Sequence, residues 1–425
     1  MHRRSMRSAL VLVAVAAVTL AACGSKSTDT TSSSSAAPAA SGSAAASGSG
    51  SASAGGALAI KAELQVDKQG TEVPVETGGA KAVSPAGDGK ATCAATTAIA
   101  VQGPLTGGNA ALGLNILYGA NLAIDEHNKA NPGCQVSLKQ FDDEGDPQKA
   151  TQVAPQVVAD PNIIGLLGPA FSGPTEATEP IFFQANLLSL TASATRVSLT
   201  TNGWTNFFRG LGNDNSQGGA VANYMTGQLG YKKVCVAQDD SDYGVGLAEV
   251  VIQTLGAAAD GNCSIKVKTG DKDFSAGVQI IKGESPDAIY YAGYFPEAAP
   301  FKQQLTDAGV TATFVSGDGT NSPDFVTQAG ASSKGALLTC PCGPAPAEFA
   351  TAYQAFAGIA PGVYSVDAYD LATIMVTGIA SGKVTDRASM IEYFKTYSGQ
   401  GVAKEYKWDS TGELATANPW IYEVQ

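Results

Sequence analysis

The stretch "NIIGLLGPAFSGPTEATEPIFFQANLLSLTAS", residues 162–193, decides the fold. The short apolar run NIIGLLG reads as a buried strand that stops at a Gly-Pro pair. PTEATEPIFFQA then carries a helical pattern, and LLSLTAS is a second apolar run of strand length. Strand, small-residue loop, helix and strand make one crossover unit of a parallel sheet. The loop holds Ser172 just before Gly173-Pro174-Thr175, so the serine stands at a helix start. It reads as a nucleophile, as part of a phosphate cradle, or as a fixed hydrogen-bond donor.

The same alternation extends outward. Before the stretch come TTAIAVQGPLTG (strand, then loop), the helical LNILYGANLAIDEHNKA, the strand and acidic loop CQVSLKQFDDEGDP, and TQVAPQVVAD, helical despite Pro155. A second run follows FFRGLGNDNSQ: helix GGAVANYMTGQLG, strand KKVCVAQDD, helix GVGLAEVVIQTLGAAA, strands SIKVKTG and AIYYAG, helix EAAPFKQQLTDAG and strand TATFVSG. After LLTCPCGPAPAEF come helices AEFATAYQAFAG and SVDAYDLATIMVTGIAS, then the strand-like KEYKWD and WIYEV. The fold class predicted is α/β, with two doubly wound parallel-sheet lobes. A closed (β/α)₈ barrel would lack the break in rhythm near Gly212. The portion from Cys93 to Gln425, about 330 residues, also exceeds what one core usually supports.

The first residues, MHRRSMRSALVLVAVAAVTLAACGS, join a basic start to an apolar run too short to span a bilayer, which reads as an export signal. Leu20-Ala21-Ala22-Cys23 resembles a bacterial lipobox, whose cysteine becomes lipid-modified after cleavage. Residues 1–22 are accordingly predicted as signal peptide, 23–57 as a Ser/Ala/Gly-rich tether, and 58–90 as a linker-like extension. The expected location is extracytoplasmic, on the membrane by lipid alone. A net charge of −12 argues against nucleic acid as a partner.

Besides Cys23 there are six cysteines, an even number that favours disulfides in an exported chain. Their places beside strand-like runs suggest Cys93–Cys134 and Cys235–Cys263; Cys340 and Cys342 are left as a tight pair or two free thiols. No metal is expected, since His127 is the one histidine outside the signal.

In open α/β sheets, ligands sit at the carboxyl ends of strands. Five such loops carry Ser172, then Ser193 with Thr195, Tyr243, Tyr294 and Asp318. Ser172 lacks the partners of a catalyst: His127 lies at the wrong end of its unit, and no G-x-S-x-G elbow surrounds it. A phosphate cradle would want a lysine, and GIASGKVTD has one residue too few between its glycines. DDEGDP lacks the spacing of a calcium loop. What remains is a helix N-terminus facing an anion, with helix capping as the plain alternative for Ser172. Neither an enzyme nor a cofactor is indicated.

The motifs GPLTG, DDEGDP, GPAFSGPTEATEP, LTASATRVSLT, DYGVGLAE, YYAGYFPE and SGDGTNSPDF, in this order and spacing, resemble the leucine-isoleucine-valine-binding protein family, from about Cys93 to the end. The resemblance implies a type I periplasmic binding protein: a monomeric ABC-importer component that closes on a small amino acid and docks on permease and ATPase subunits. It implies that Ser172 and Thr195 hold the ligand carboxylate, that the Ser193 carbonyl takes an ammonium proton, and that Tyr294 is the tyrosine of a GGY-like loop. Asp318 falls where the family has a glutamate against the ammonium. Tyr243 and Tyr364 match aromatic pocket positions, and Phe171 joins the candidate contacts. Leu112, assigned to the GPLTG loop, stands where well-known members have an aromatic, which opens the alternatives of an amide, urea or aromatic-acid ligand, or of a sensor input domain. The family pattern implies an N-terminal lobe of 91–212 plus 343–404, a C-terminal lobe of 213–342 plus 405–425, and hinges near Gly212-Asn213, Cys340-Pro341-Cys342 and Lys407.

Overall fold

The structure, a computed structural model, describes residues 57–75, 81–415 and 417–425. The expected signal peptide, Cys23 and the expected tether up to residue 56 lie outside these residues. Among the described residues no helix is long and apolar enough to cross a membrane.

In chain order, two strands come first, β1 (Ile60–Val66) and β2 (Glu72–Val73). A βα run follows: β3 (Ala98–Gly103), α1 (Ala110–Ala130), β4 (Ser137–Asp142), α2 (Pro147–Ala159), β5 (Ile163–Leu167), α3 (Ser172–Gln184), β6 (Leu188–Thr191) and β7 (Phe207–Arg209). The second run is α4 (Asp214–Gly227), β8 (Val234–Gln238), α5 (Asp242–Leu255), β9 (Ile265–Lys266), α6 (Ser275–Glu284), β10 (Ala288–Ala292), α7 (Phe295–Asp307), β11 (Thr313–Ser316), α8 (Pro323–Ala329) and β12 (Leu337–Cys340). The chain finishes with α9 (Ala347–Ala357), α10 (Ser365–Ala380), α11 (Arg387–Thr396), β13 (Ser398–Gln400), β14 (Glu405–Lys407) and β15 (Trp420–Val424).

Two sheets result, one per lobe. The first has the order β4-β3-β5-β6-β7, all parallel. The second has the order β2-β1-β15-β12-β11-β10-β8-β9, parallel from β12 to β9 and antiparallel on the other side. The apolar runs explain why the central strands are covered on both faces: β5 (IIGLL) and β10 (AIYYA) are buried throughout. Alternate residues of β3 divide between the faces, with Ala98 and Ala100 under α2 and α3, and Ile99 and Val101 in the larger core. The helix α1 packs on α10 so closely that a Cβ on Gly119 would meet the Ser365 carbonyl oxygen. Glycine is the residue that allows this contact.

Three crossovers join the lobes: residues 210–213 between β7 and α4, 341–346 between β12 and α9, and the segment leading into β15. The third departs from expectation. Lys407 is not at the crossing, because Trp408 packs against Phe208 and Phe394 of the first lobe and donates its indole N–H to Arg209 O at 2.7 Å. Glu413 also pairs with Arg209, so the chain leaves the first lobe only after it.

The extension is a second correction. Residues 58–66 are not linker: β1 pairs with β15 from Ile60 to Gln65, and β2 caps its far end. Their period-two pattern, Leu58, Ile60, Ala62, Leu64 and Val66, is that of a half-buried strand. Further on, the extension lies on the first lobe, where Val83 N–H donates to Gln400 O and His127 bonds to Pro85 O. β7 went unread as a strand, and β9 is two residues rather than the whole of SIKVKTG. All three disulfides are formed, including Cys340–Cys342.

Candidate functional site

Strand ends deliver the site. β5 ends in a loop that places Phe171 at the cap position of α3 and Ser172 as its first residue, both buried. Ser172 does not cap the helix; its Oγ accepts from the Arg196 N–H at 3.3 Å, which leaves its own proton to donate. β6 ends in Thr191, whose Oγ1 accepts from Ala194 N–H at 2.9 Å and so bends the loop that presents Ser193 and Thr195. Ser193 Oγ donates to Ala170 O at 2.5 Å, tying the two loops together. Among the described residues, buried Thr195 Oγ1 has no partner.

The second lobe supplies further candidate residues. Asp318, 1% exposed, follows β11. Tyr243 of α5 donates to its Oδ1 at 2.6 Å and Tyr364 to its Oδ2 at 2.8 Å. Tyr364 sits before α10 of the first lobe, at φ 70°, so this carboxylate is held from both lobes. Burial pushes the Asp318 carboxyl above its ordinary range, while the two tyrosine hydroxyls oppose the rise. Gly317 is needed here, because a Cβ on it would meet the Tyr243 hydroxyl. Tyr294 stacks on Phe171 across the lobes with ring centroids 4.4 Å apart, and lies 5.1 Å from Tyr243. The structure thus gathers Phe171, Tyr243, Tyr294, Asp318 and Tyr364 into one contact chain, with Ser172, Ser193 and Thr195 on joined loops of the first lobe.

Leu112 is the exception. It is not in the GPLTG loop but in the first turn of α1, its N–H bonded to Asn109 O at 3.0 Å and its side chain fully buried. An apolar residue on the inner face of a helix start goes to the core.

Two residues were not read from the sequence. Asp214 opens α4, has no exposed surface, and its carboxylate lies beside the Thr195 hydroxyl without a well-formed hydrogen bond to it, while its N–H donates to Thr195 O at 2.9 Å. Burial raises its carboxyl to about 7; the Thr195 hydroxyl beside it opposes the rise, neighbouring Asp318 adds to it, and Arg209 and Arg196 oppose it. Arg209, at the end of β7, is wholly buried; it donates to the carbonyls of Ala194 and Arg196 and so clamps the loop around Thr195. The signal for both lay in FFRGLGNDN, where an arginine and an aspartate interrupt an otherwise apolar and turn-forming stretch. At the rim, Arg196 reaches Asp242 of the second lobe at 2.6 Å and Glu176 of its own lobe at 3.5 Å.

These loops at strand ends, in two lobes with three crossovers, match a known family. A periplasmic binding protein family model matches residues 96–425. The chain belongs to the leucine-isoleucine-valine-binding protein family of type I periplasmic binding proteins. An amino acid binding protein of Pseudomonas aeruginosa is 30% identical over 341 residues, covering 77% of this chain and 90% of the relative. The leucine-, isoleucine-, valine-, threonine- and alanine-binding protein of the same organism is 29% identical with the same coverage. Among solved structures, the branched-chain amino acid substrate-binding protein LivJ of Streptococcus pneumoniae, in complex with isoleucine, has a TM-score of 0.71 at 26% identity, covering 77% of this chain and 99% of that one. A benzoate-bound solute-binding protein of Rhodopseudomonas palustris has a TM-score of 0.70 at 19% identity, covering 77% and 93%, which shows the shared fold.

Proposed function

We propose that this protein is the solute-binding lipoprotein of an ABC importer, anchored through Cys23, that closes its two lobes on a free amino acid, with branched-chain ligands first. The observation that carries this reading is the buried carboxylate of Asp318, gripped by Tyr243 and Tyr364 from opposite lobes. Ser172 and Thr195 receive the ligand carboxylate, helped by the amide groups at the start of α3. The Ser193 carbonyl, Asp318 and Asp214 receive the ammonium. Phe171 and Tyr294 form the wall against the side chain. The lobes are taken as 91–212 with 343–404 and 213–342 with 405–425, the last boundary moved to after Glu413. The chain acts as a monomer without catalysis and hands its ligand to permease and ATPase subunits.

A second reading is an aromatic acid, favoured by the aromatic residues Phe171 and Tyr294 that meet at these loops. Asp318 weighs against it, because an acid without an ammonium brings a second negative charge beside this buried carboxylate. Calorimetric titration with leucine, isoleucine, valine and benzoate separates the two. Tight binding of an aliphatic amino acid and none of benzoate is expected; the reverse order overturns the amino-acid reading.

A further inference from the structure

The run AQDDSDYG, where β8 ends and α5 begins, carries two adjacent aspartates with different fates. Asp240 is exposed and accepts from the Thr269 N–H at 2.8 Å and from its hydroxyl at 2.9 Å. Asp239 has no exposed surface. A buried carboxylate is costly unless hydrogen bonds satisfy it, and those of Asp239 come from two loops. Its Oδ1 accepts from the Ser241 N–H at 3.0 Å and from the Ser241 hydroxyl at 2.5 Å, and its Oδ2 accepts from the Tyr294 N–H at 3.3 Å. Ser241 in turn caps α5, its Oγ accepting from the Gly244 N–H at 2.9 Å, so that this arm ends beside Tyr243. The Asp239 N–H donates to Ala292 O at 3.0 Å, which ties the end of β8 to the end of β10.

Two glycines show how tightly the carboxylate is wedged. Gly244 follows Tyr243 and Gly293 precedes Tyr294, and a Cβ on either would run into the Asp239 carboxylate. The rings of Tyr243 and Tyr294 lie 5.1 Å apart between centroids. One buried group therefore fills the space between the two backbones that carry these rings.

We propose that Asp239 is a positioning residue, whose carboxylate sets the spacing of Tyr243 and Tyr294 and, through Tyr294, the room left for the ligand side chain. The consequence for ligand choice rests on the amino-acid reading above.

Asp239→Asn keeps the shape. Its amide oxygen still accepts from Ser241, while its NH₂ group faces the Tyr294 N–H, donor against donor, so the Tyr294 arm is the one released. Hydrogen exchange on the ligand-free mature protein is expected to be slow at residues 293–295 in the wild type and at least about fivefold faster in Asp239→Asn, with α8 of the same lobe unchanged. Calorimetric titration should then show leucine affinity reduced about three- to tenfold and alanine affinity nearly kept, because alanine reaches less of the Tyr294 wall. Fast exchange at Tyr294 in the wild type overturns the assignment, and that readout needs no variant. A rise of equal size in α8, which marks general loosening, also overturns it, as do equal losses for leucine and alanine in the folded variant. If the wild type binds neither amino acid, the amino-acid reading fails, and the exchange data still decide whether Asp239 places Tyr294.

Discussion

Asp318 is held by tyrosines that arrive from different lobes, so its carboxylate reports on closure as well as on charge. Asp318→Asn keeps the shape and removes the counter-charge of an ammonium. Affinity for the amino acid is expected to fall by about 2 to 5 kcal/mol, the usual range for truncating a buried charge pair, and calorimetry at neutral pH measures it. Unchanged affinity would place the ammonium elsewhere. Asp214 gives a different signature. Its carboxyl is raised from 3.8 to about 7, mainly by burial, so the folded ligand-free protein keeps a proton that the unfolded chain has lost. The stability this group contributes is full below about pH 4 and is lost as pH rises through about 7. Asp214→Asn should flatten that decline, each unit of the shift being worth about 1.4 kcal/mol before solvent relaxation. Glu179 and Asp370, raised to about 8 and about 7, slope the same way in both proteins, so the difference isolates Asp214. Urea denaturation of ligand-free protein at several pH values checks it, and parallel curves for the two proteins would refute it.

At the scale of elements, α5 of one lobe meets the loop after β6 of the other through Arg196 and Asp242. Half-exposed ion pairs contribute about 0 to 1 kcal/mol, too little to matter for folding. On the proposed closure, in which the lobes part before ligand leaves, the same energy becomes a rate. Arg196→Ala is expected to speed ligand release about two- to fivefold with little change in melting temperature, and raised salt should do the same to the wild type. Stopped-flow release would show it; a release rate insensitive to both would leave the ion pair without a role in closure. Elements were legible where their physics was local. IIGLL and AIYYA announce buried strands, and the loops after them announce Ser172 and Tyr294 without any knowledge of the partner lobe. β1 was missed because its alternation follows a long polar tether, and its pairing partner, β15, lies at the other end of the chain. Asp214 was missed because nothing local makes its carboxylate buried: the burial comes from α4 docking beneath loops of the first lobe. Lys407 was misplaced as a hinge because Trp408, which looks like a strand residue, is held by contacts to Phe208 and Arg209 about two hundred residues away in sequence.

At the scale of the whole molecule, the disulfides divide the work of holding the ends. Cys93–Cys134 spans 41 residues and pins the return of the N-terminal extension to the end of α1, whereas Cys340–Cys342 spans 2 residues and ties the end of β12 to the start of the second crossover. If a disulfide acts by restricting the unfolded chain, the first contributes about 4 kcal/mol and the second far less. The extension gives the first bond a further load. β1 and β2 sit in the second lobe, residues from Val83 onward lie on the first, and Cys93 fastens the end of that path. Cys93→Ser with Cys134→Ser is therefore expected to lower stability by about 2 to 4 kcal/mol while leaving ligand affinity unchanged, because the bond lies far from Asp318 and Ser172 in the fold. Cys340→Ser with Cys342→Ser should show the opposite pattern, with a small stability loss and altered ligand affinity, because that bond shapes a segment joining the lobes whose closure is proposed above. Denaturant unfolding and calorimetry on both double variants decide the matter: equal stability losses, or an affinity change confined to the Cys93 pair, would mean that the crossover bond neither shapes closure nor differs from an ordinary staple.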